Sequence, residues 1–313
     1  MPSDQEQRSL RGGRAVRNVI LLSVAGATLA GVATLWFLGW ALSAPANRAV
    51  GPPPNSLDAE SVIFASDSGS RIKGWLIRGT AGRGAIVLAH SVRSNRLELV
   101  DRAGFLRHAG YSVLLFDAQA HGESSGEHIT FGYLESLDAR AAVGFLHAQL
   151  PAERIGYLGV SQGGAAALLG PEPLAVDALI LEAVYPTLRE AVINRIAIRL
   201  GCLAEPLAPL LLLQFRLQLG IDPDSMAPIE GIRRIRAPLL LIAGERDRHT
   251  LLSQSQRLFE EAPQPKALWI VPGAAHVNFH RFSPAEYERR VLAFCDGTLG
   301  SDSFRGTPPQ REK

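Results

Sequence analysis

The pentapeptide Gly159-Val160-Ser161-Gln162-Gly163 decides the fold of this 313-residue chain. An apolar run, 154–158, precedes it, and a run of small, helix-favouring residues, 164–169, follows it. A G-x-S-x-G sequence between a buried strand and a helix is typical of a nucleophile elbow, a sharp turn that projects a serine hydroxyl. Glycine at both ends permits such a turn because it has no Cβ. The alternative is an ordinary Gly-Ser loop.

Strand-like and helix-like segments alternate on both sides of this pentapeptide. A hairpin is predicted from 61–65 and 71–78, because both runs favour strand and a Ser-Gly turn separates them. Strands that alternate with helices form parallel sheets. The pattern therefore predicts an α/β fold over residues 59–298, with a mostly parallel sheet flanked by helices. The predicted buried strands are 85–89, 112–116, 154–158, 178–181, 238–243 and 267–271.

One interval, residues 186–236, breaks the alternation. It contains two or three helical stretches rich in Leu, Ile and Ala, and 210–219 is more apolar than a solvent-facing helix should be. Such a helix must pack on the core or cover an apolar site. We predict a short helical lid here, and helices that only cap the core are the alternative.

The first 44 residues have a different composition. Residues 19–44 carry no charge and would extend about 39 Å as a helix, enough to cross a hydrocarbon core of about 30 Å. The preceding basic segment, residues 1–18, contains four arginines, which predicts a cytoplasmic N-terminus. We therefore expect a single-pass membrane anchor and an extracytoplasmic domain. A cleaved signal peptide is the alternative, because residues 44–46 read Ala-Pro-Ala.

Two further segments lie outside the predicted domain. Residues 45–58 contain three consecutive prolines and are predicted to be a stiff linker. Residues 299–313 are polar and are predicted to be disordered.

Charge and ligand patterns exclude some functions. Beyond residue 18 the chain has as many acidic as basic side chains, which argues against a nucleic acid partner. No metal-binding motif or phosphate-binding glycine loop is present, so we expect no metal and no organic cofactor. Cys202 and Cys295 lie far apart in sequence and are predicted to be two buried thiols rather than a disulfide.

A serine nucleophile needs a base, and the base needs an acid that orients it. Because functional groups gather at the carboxyl ends of parallel strands, both residues are expected just after a strand. Asp247 follows the strand 238–243, and His276 follows the strand 267–271. The order Ser161, Asp247, His276 is the order that G-x-S-x-G hydrolases use.

Other residues compete for these roles. His280 is the alternative base, and Glu182, at the end of an earlier strand, is the alternative acid. His249 and Glu245 are expected to be solvated beside the acid loop.

An oxyanion needs backbone N–H donors that are in place before the charge develops. Gln162 follows the nucleophile at a helix start and supplies one. The second should come from the loop after 85–89, where we assign the Val92 amide. His90, in the same loop, is expected to order the loop by hydrogen bonding.

These motifs resemble those of the α/β-hydrolase family, in its serine aminopeptidase-like and monoacylglycerol-lipase-like branch. The resemblance covers roughly residues 61–294 and rests on four motifs. They are 159–163, Gly244-x-x-Asp247, Gly273-x-x-His276, and Asp117-x-x-x-His121-Gly122. The chain departs from the family where Ser91 replaces the usual Gly of the oxyanion loop and Gln119-Ala120 replaces Arg-Gly.

The resemblance implies an α/β-hydrolase fold without a cofactor, in which Asp117 and His121 have structural roles. Together with the anchor, it predicts a membrane-anchored serine hydrolase that cleaves small-molecule or lipid-like carboxylic esters through an acyl-Ser161 intermediate. A serine peptidase is the second hypothesis, and a catalytically silent binding module held at the membrane is the third.

Overall fold

The computed structural model describes the backbone of residues 4–300 and the side chains of residues 17–300. The helices in this range are α1 (Asp4–Ser43), α2 (Val100–His108), α3 (Glu135–Gln149), α4 (Gln162–Leu168), α5 (Leu188–Leu200), α6 (Ala204–Leu219), α7 (Pro228–Ile232), α8 (Leu252–Glu261), α9 (Phe279–Phe282) and α10 (Pro284–Thr298). The strands are β1 (Ala46–Asn47), β2 (Ala59–Ala65), β3 (Arg71–Ile77), β4 (Ala85–Ala89), β5 (Ser112–Phe116), β6 (His121–Gly122), β7 (Ile155–Val160), β8 (Ala178–Glu182), β9 (Leu239–Gly244) and β10 (Lys266–Val271).

An eight-stranded sheet organises the domain, in the order β10-β9-β8-β7-β4-β5-β3-β2. The six strands from β10 to β5 are parallel, whereas β3 pairs antiparallel with both β5 and β2. Every residue of β4, β5, β7, β8 and β9 is buried, as expected of strands covered on both faces. The predicted strands and the hairpin are confirmed, with ends that differ by one or two residues. The strand predicted at 267–271 is not fully buried, because β10 lies at the edge of the sheet.

Helices cover both faces of the sheet. Alternate residues of β4 belong to two separate hydrophobic clusters, because successive side chains of a strand point to opposite faces. Helices α3, α4 and α8 pack in one cluster, and α2 and α10 pack in the other. The predicted mostly parallel sheet flanked by helices is confirmed.

Helices α5, α6 and α7 occupy the interval predicted as a lid. Leu212 and Phe215 of α6 are buried in the core, whereas Leu210, Leu213 and Leu217 are exposed. Helix α6 therefore both packs on the domain and presents an apolar face outward.

Helix α1 is a candidate membrane span by its length and composition. The most apolar stretch within Arg17–Ser43 has a mean hydropathy of 2.0, and none of that stretch is buried. The end of α1 contacts the lid, where Gln218 Nε2 donates to the Trp36 carbonyl at 3.1 Å. The most apolar stretch within Leu188–Leu219 has a mean hydropathy of 1.8, so this segment also meets the length and composition of a membrane span. It is divided into α5 and α6 at Gly201, whose φ is 55°.

The segments predicted to flank the domain make contacts with it. Strand β1 pairs in parallel with β6, and Ala46 and Leu57 are buried. Leu299, at the start of the predicted disordered tail, is also buried and lies against Gly84 and Gly156. The rest of that tail, from residue 301, lies outside the described residues.

The two cysteines are free thiols, but their surroundings differ. Cys295 is fully buried in α10, and burial raises the pKa of its thiol. Cys202 is exposed between α5 and α6, so the prediction of two buried thiols is wrong for this residue. It lies in the short 3₁₀ turn Gly201–Leu203, where the chain leaves the core between the two helices.

Candidate active site

Ser161 occupies the turn between β7 and α4 in a conformation that L-residues rarely adopt. Its φ is 49° and its ψ is −109°, and its N–H donates to the Glu182 carbonyl at 2.7 Å. A Cβ added to Gly159 would lie 2.6 Å from the Gly163 carbonyl carbon, and one added to Gly163 would lie 2.5 Å from the Ala89 oxygen. Only glycine fits at either position, so the local sequence permits the strained turn.

The loop after β9 carries Asp247, and the loop after β10 carries His276. The two side chains form a hydrogen bond, His276 Nδ1 to Asp247 Oδ2, at 2.7 Å. The other carboxylate oxygen accepts from the backbone N–H groups of His249 at 2.7 Å and Thr250 at 2.9 Å. Because a carboxylate only accepts, His276 must donate from Nδ1, which leaves Nε2 able to accept a proton.

The sheet register brings these loops to the edge that carries Ser161. Val160 of β7, Glu182 of β8, Ile242 of β9 and Trp269 of β10 form one row across neighbouring strands. The chain beyond each of them therefore leaves the sheet at the same carboxyl edge. Among the residues that the structure describes, no hydrogen bond joins Ser161 Oγ to His276.

The two backbone N–H groups assigned to the oxyanion site have no hydrogen-bond acceptor among the described residues. Within residues 4–300, neither the Gln162 N–H nor the Val92 N–H donates to a protein acceptor. Their two loops are in contact, since the backbone of Gly163 approaches the Ala89 and His90 carbonyl oxygens. Both N–H groups are therefore free of protein acceptors, on two loops that contact each other.

Two histidines hold the Val92 loop. His90 Nε2 accepts from the Ala118 N–H at 3.0 Å, and His121 Nε2 accepts from the Arg93 N–H at 3.0 Å. The Nδ1 of His90 lies 2.7 Å from the Ser91 carbonyl, and the Nδ1 of His121 lies 2.8 Å from the Gln119 carbonyl. Burial, with a smaller effect from nearby His90, lowers the pKa of His121 to about 3. His121 is thus neutral over the ordinary pH range and acts as an acceptor.

The alternative acid, Glu182, is engaged elsewhere. Its carboxylate is fully buried and receives Arg102 Nε at 3.1 Å, Arg102 Nη2 at 2.6 Å, and the Tyr287 hydroxyl. This buried cluster lies behind the elbow, where the Glu182 carbonyl also accepts the Ser161 N–H. No sequence signal pointed to it, because its three members come from distant parts of the chain.

The alternative base also has another partner. His280 Nε2 lies 2.8 Å from Glu288 Oε1, and its ring packs 5.1 Å from the Phe105 ring. His249 is half-buried beside His276, with the ring centroids 5.0 Å apart, and burial lowers its pKa. Glu245 is exposed. The structure thus pairs Asp247 with His276 and gives the competing residues other surroundings.

Asp117 is a structural residue of the neighbouring loop. Its fully buried carboxylate accepts from the Arg96 N–H at 2.8 Å, from the Arg96 guanidinium, and from the Glu123 N–H at 2.9 Å. Among the described side chains, no group of three or more His, Cys, Asp or Glu is arranged to hold a metal ion.

Comparisons with known proteins give consistent results. Residues 80–227 match the sequence model of the family described as serine aminopeptidase, S33. The uncharacterized protein Rv2307c of Mycobacterium tuberculosis is 31% identical over 234 residues, covering 72% of this chain and 76% of that protein. The uncharacterized protein YqkD of Bacillus subtilis is 25% identical over 248 residues, covering 77% and 80%.

A solved structure, that of the esterase Pf2001 of Pyrococcus furiosus, shares the fold. It superposes with a TM-score of 0.68 at 24% identity and covers 83% of this chain and 99% of that protein. The dienelactone hydrolase of Anabaena variabilis superposes with a TM-score of 0.57 at 19% identity and covers 77% and 98%.

Proposed function

Because this chain belongs to the α/β-hydrolase family, we propose that it is a membrane-anchored serine hydrolase that cleaves carboxylic esters through an acyl-Ser161 intermediate. The observation that carries the proposal is the hydrogen-bonded Asp247–His276 pair, 2.7 Å apart, at the sheet edge where the strained Ser161 turn lies. An acid–base pair and a projecting serine are the parts that acyl transfer requires.

The proposed reaction has two halves. In the first, Ser161 Oγ attacks the ester carbonyl while His276 Nε2 takes the hydroxyl proton, and Asp247 stabilises the imidazolium. The Gln162 and Val92 N–H groups donate to the oxyanion. Collapse of the tetrahedral intermediate breaks the bond to the alcohol, which leaves with the proton from His276. In the second half, a water molecule activated by His276 attacks the acyl-Ser161 and releases the acid.

The lid favours an ester with an apolar acyl group. Helix α6 is rich in leucine, and its Leu212 and Phe215 side chains belong to the hydrophobic core of the domain. The structural relative from Pyrococcus furiosus is described as an esterase, which supports the same assignment. Peptide hydrolysis is the second candidate, because the matching family is described as a serine aminopeptidase and uses the same type of site.

Activity-based labelling tests the proposal. The full chain, in detergent or vesicles, should react with a fluorophosphonate at Ser161, and a Ser161→Ala variant should not react. A panel of p-nitrophenyl esters of increasing acyl length, run beside aminoacyl p-nitroanilides, separates the two candidates. Turnover of the anilides alone would assign a peptidase, and a folded wild type that neither labels nor turns over would contradict both.

We also propose that α1 anchors the protein with its N-terminus in the cytoplasm. The uncharged, exposed stretch from Val19 and the four arginines before it support this orientation. The domain, and with it Ser161, would then lie on the extracytoplasmic side, close to amphiphilic esters in the bilayer.

A further inference from the structure

The end of α1 is bound directly to the loop that carries Val92. The Nη1 of Arg93 donates to three carbonyl oxygens at that helix end: Ala41 at 3.2 Å, Leu42 at 3.4 Å and Ala44 at 3.2 Å. The last carbonyls of a helix have no partner within the helix, and they carry the negative end of its dipole. The Arg93 guanidinium donates hydrogen bonds to these carbonyls and places a positive charge near the negative end of the dipole, so it caps α1.

The backbone of Arg93 is part of the turn that presents the Val92 amide. This turn closes with the Ser94 N–H donating to the Ser91 carbonyl at 3.3 Å, and Arg93 has a φ of 58° in it. The Arg93 N–H donates to His121 Nε2 at 3.0 Å, which holds the peptide that follows Val92. A left-handed φ favours glycine, and an arginine here is strained. The side-chain contacts with α1 give a reason for its presence.

The chain after α1 holds the other side of the same loop. The Ala46 N–H donates to the Ala120 carbonyl at 2.8 Å, and the Ile129 N–H donates to the Ser43 carbonyl at 2.8 Å. Ala46, Ala120 and Ile129 form a small buried cluster against which the Val92 side chain packs. The end of α1, the His121 loop and the Val92 turn are therefore one packed unit.

We propose that Arg93 is a positioning residue that couples the end of helix α1 to the oxyanion site. Its guanidinium holds the turn from Ser91 to Ser94 against α1, so that the Val92 N–H, which belongs to the Ser91–Val92 peptide of this turn, is in place for the developing oxyanion without rearrangement. This inference rests on the proposed hydrolase function, and it gives the segment Ala41–Ala46 a role in catalysis as well as in attachment.

The test uses the full chain and three variants. Arg93→Gly removes the cap but also relieves the strained φ, and because these two effects oppose each other the melting temperature should change little. Arg93→Lys keeps a cation that can reach the same carbonyls. Arg48→Gln is the matched control, because the Arg48 side chain is exposed and the residue contacts the domain through its backbone N–H, which donates to the Gly122 carbonyl at 2.8 Å.

The readouts are kcat and KM for a soluble ester, affinity for a trifluoromethyl ketone that mimics the oxyanion, and the melting temperature. Loss of a whole oxyanion donor costs about 10²–10³ in kcat, so displacing one should cost about tenfold. Arg93→Gly should lose about tenfold in both kcat and ketone affinity, with KM and melting temperature preserved. Arg93→Lys should recover most of this loss, and Arg48→Gln should match the wild type.

Unchanged kcat and ketone affinity in Arg93→Gly would overturn the inference, as would a kcat loss that is matched by a fall in melting temperature instead of ketone affinity. Neither result affects fluorophosphonate labelling at Ser161, which tests the proposed function separately. Absence of that labelling in a folded wild type would remove the function on which the inference rests.

Discussion

At Ser161, one short turn combines three requirements. The hydroxyl must project, the Gln162 N–H must stay open, and the turn must pass close to the Ala89 and His90 carbonyls. A positive φ at a serine and two glycines without room for a Cβ are the structural consequences. The strain is held in place by the hydrogen bond from the Ser161 N–H to Glu182.

Substitutions of the three proposed catalytic residues should separate chemistry from folding. Ser161→Ala and His276→Ala should each lower kcat/KM for an ester by several orders of magnitude with little change in melting temperature, because they remove the nucleophile or its base. Asp247→Asn should cost somewhat less. Steady-state kinetics beside thermal melts provide the check. Near-normal turnover by His276→Ala together with loss in His280→Ala would overturn the assignment of the base.

Glu182→Gln should behave differently from Asp247→Asn. It leaves Arg102 buried beside a neutral amide, and breaking a buried ion pair typically costs about 3–5 kcal/mol. We therefore expect a large fall in the free energy of unfolding, measured by urea denaturation, with substantial activity in the fraction that remains folded. A stable Glu182→Gln protein without activity would instead move the catalytic acid to β8.

The elbow glycine should tolerate no side chain. Gly163→Ala places a methyl group about 2.5 Å from the Ala89 oxygen, so the oxyanion loop or the elbow must shift. Activity should fall sharply, and stability should fall with it. Gly144→Ala is the matched control, because this glycine lies in α3 with no atom within 4 Å of the added Cβ, and alanine should stabilise the helix by about 0.5–1 kcal/mol. Equal activity of the two variants would contradict the proposed elbow geometry.

The buried His121 side chain should make the free energy of unfolding depend on pH. Its pKa falls from about 6.5 in the unfolded chain to about 3 in the fold, so the unfolded state takes up a proton first as the pH drops. Stability should therefore decrease as pH falls from about 6.5 towards 3. The positive charge of Arg93 and the adjacent His90 ring act in the same direction.

His121→Gln tests this, because a glutamine can accept from the Arg93 N–H without gaining a charge. Denaturation curves at pH 7 and pH 4.5 should show a smaller stability loss in this variant than in the wild type. His147→Gln, which alters an exposed histidine of α3, should retain the wild-type loss. Parallel pH curves for all three proteins would show that His121 contributes nothing to the effect.

At the scale of elements, α1 combines an apolar stretch long enough to span a membrane with direct contacts to the domain. Its apolar length suits a membrane, and its last turn is capped by Arg93 and packs beside Gln214 and Gln218 of α6. The contacts of α1 with the domain therefore begin inside the helix, before the segment 45–58.

Two truncations separate the proposed membrane anchoring from the contacts that the end of α1 makes with the domain. Removal of residues 1–38 should spare hydrolysis of a small soluble ester but weaken action on esters embedded in vesicles. It removes proximity to the bilayer and the exposed Trp36–Gln218 hydrogen bond, but it keeps the carbonyl groups that Arg93 contacts. Removal of residues 1–51 also deletes β1 and the cap acceptors of Arg93, so kcat on the soluble ester should fall by about tenfold or more. Identical kinetics of the two truncated proteins on the soluble ester would show that the segment 39–51 only tethers the domain.

For the whole molecule, regular periodicity made the sheet predictable, and local motifs made the candidate site predictable. Asp247 and His276 could be assigned because each follows a buried strand closely. The β1–β6 pairing could not, because it joins two-residue strands about 75 positions apart without a hydrophobic pattern. Arg93 and Cys202 were not predictable for a similar reason, since their surroundings depend on how distant elements pack.

The topology of the whole chain is testable directly. The protein should fractionate with membranes at its full mass, and a reporter fused after Lys313 should be active outside the cytoplasm. Recovery of a shortened soluble protein would indicate cleavage at residues 44–46, and cytoplasmic reporter activity would place the site on the inner side. The paired control fuses two reporters at the same position, one that is active only where disulfides form outside the cytoplasm and one that is active only inside the cytoplasm.

The most direct test of the central claim is the mass of the enzyme caught during turnover. The full chain is mixed with a p-nitrophenyl ester, quenched in acid within the first turnover, and digested for mass spectrometry. The account predicts the added mass of one acyl group on the peptide that contains Ser161, and no such adduct in Ser161→Ala. Ester turnover with an unmodified Ser161, or an adduct on a different residue, would contradict it.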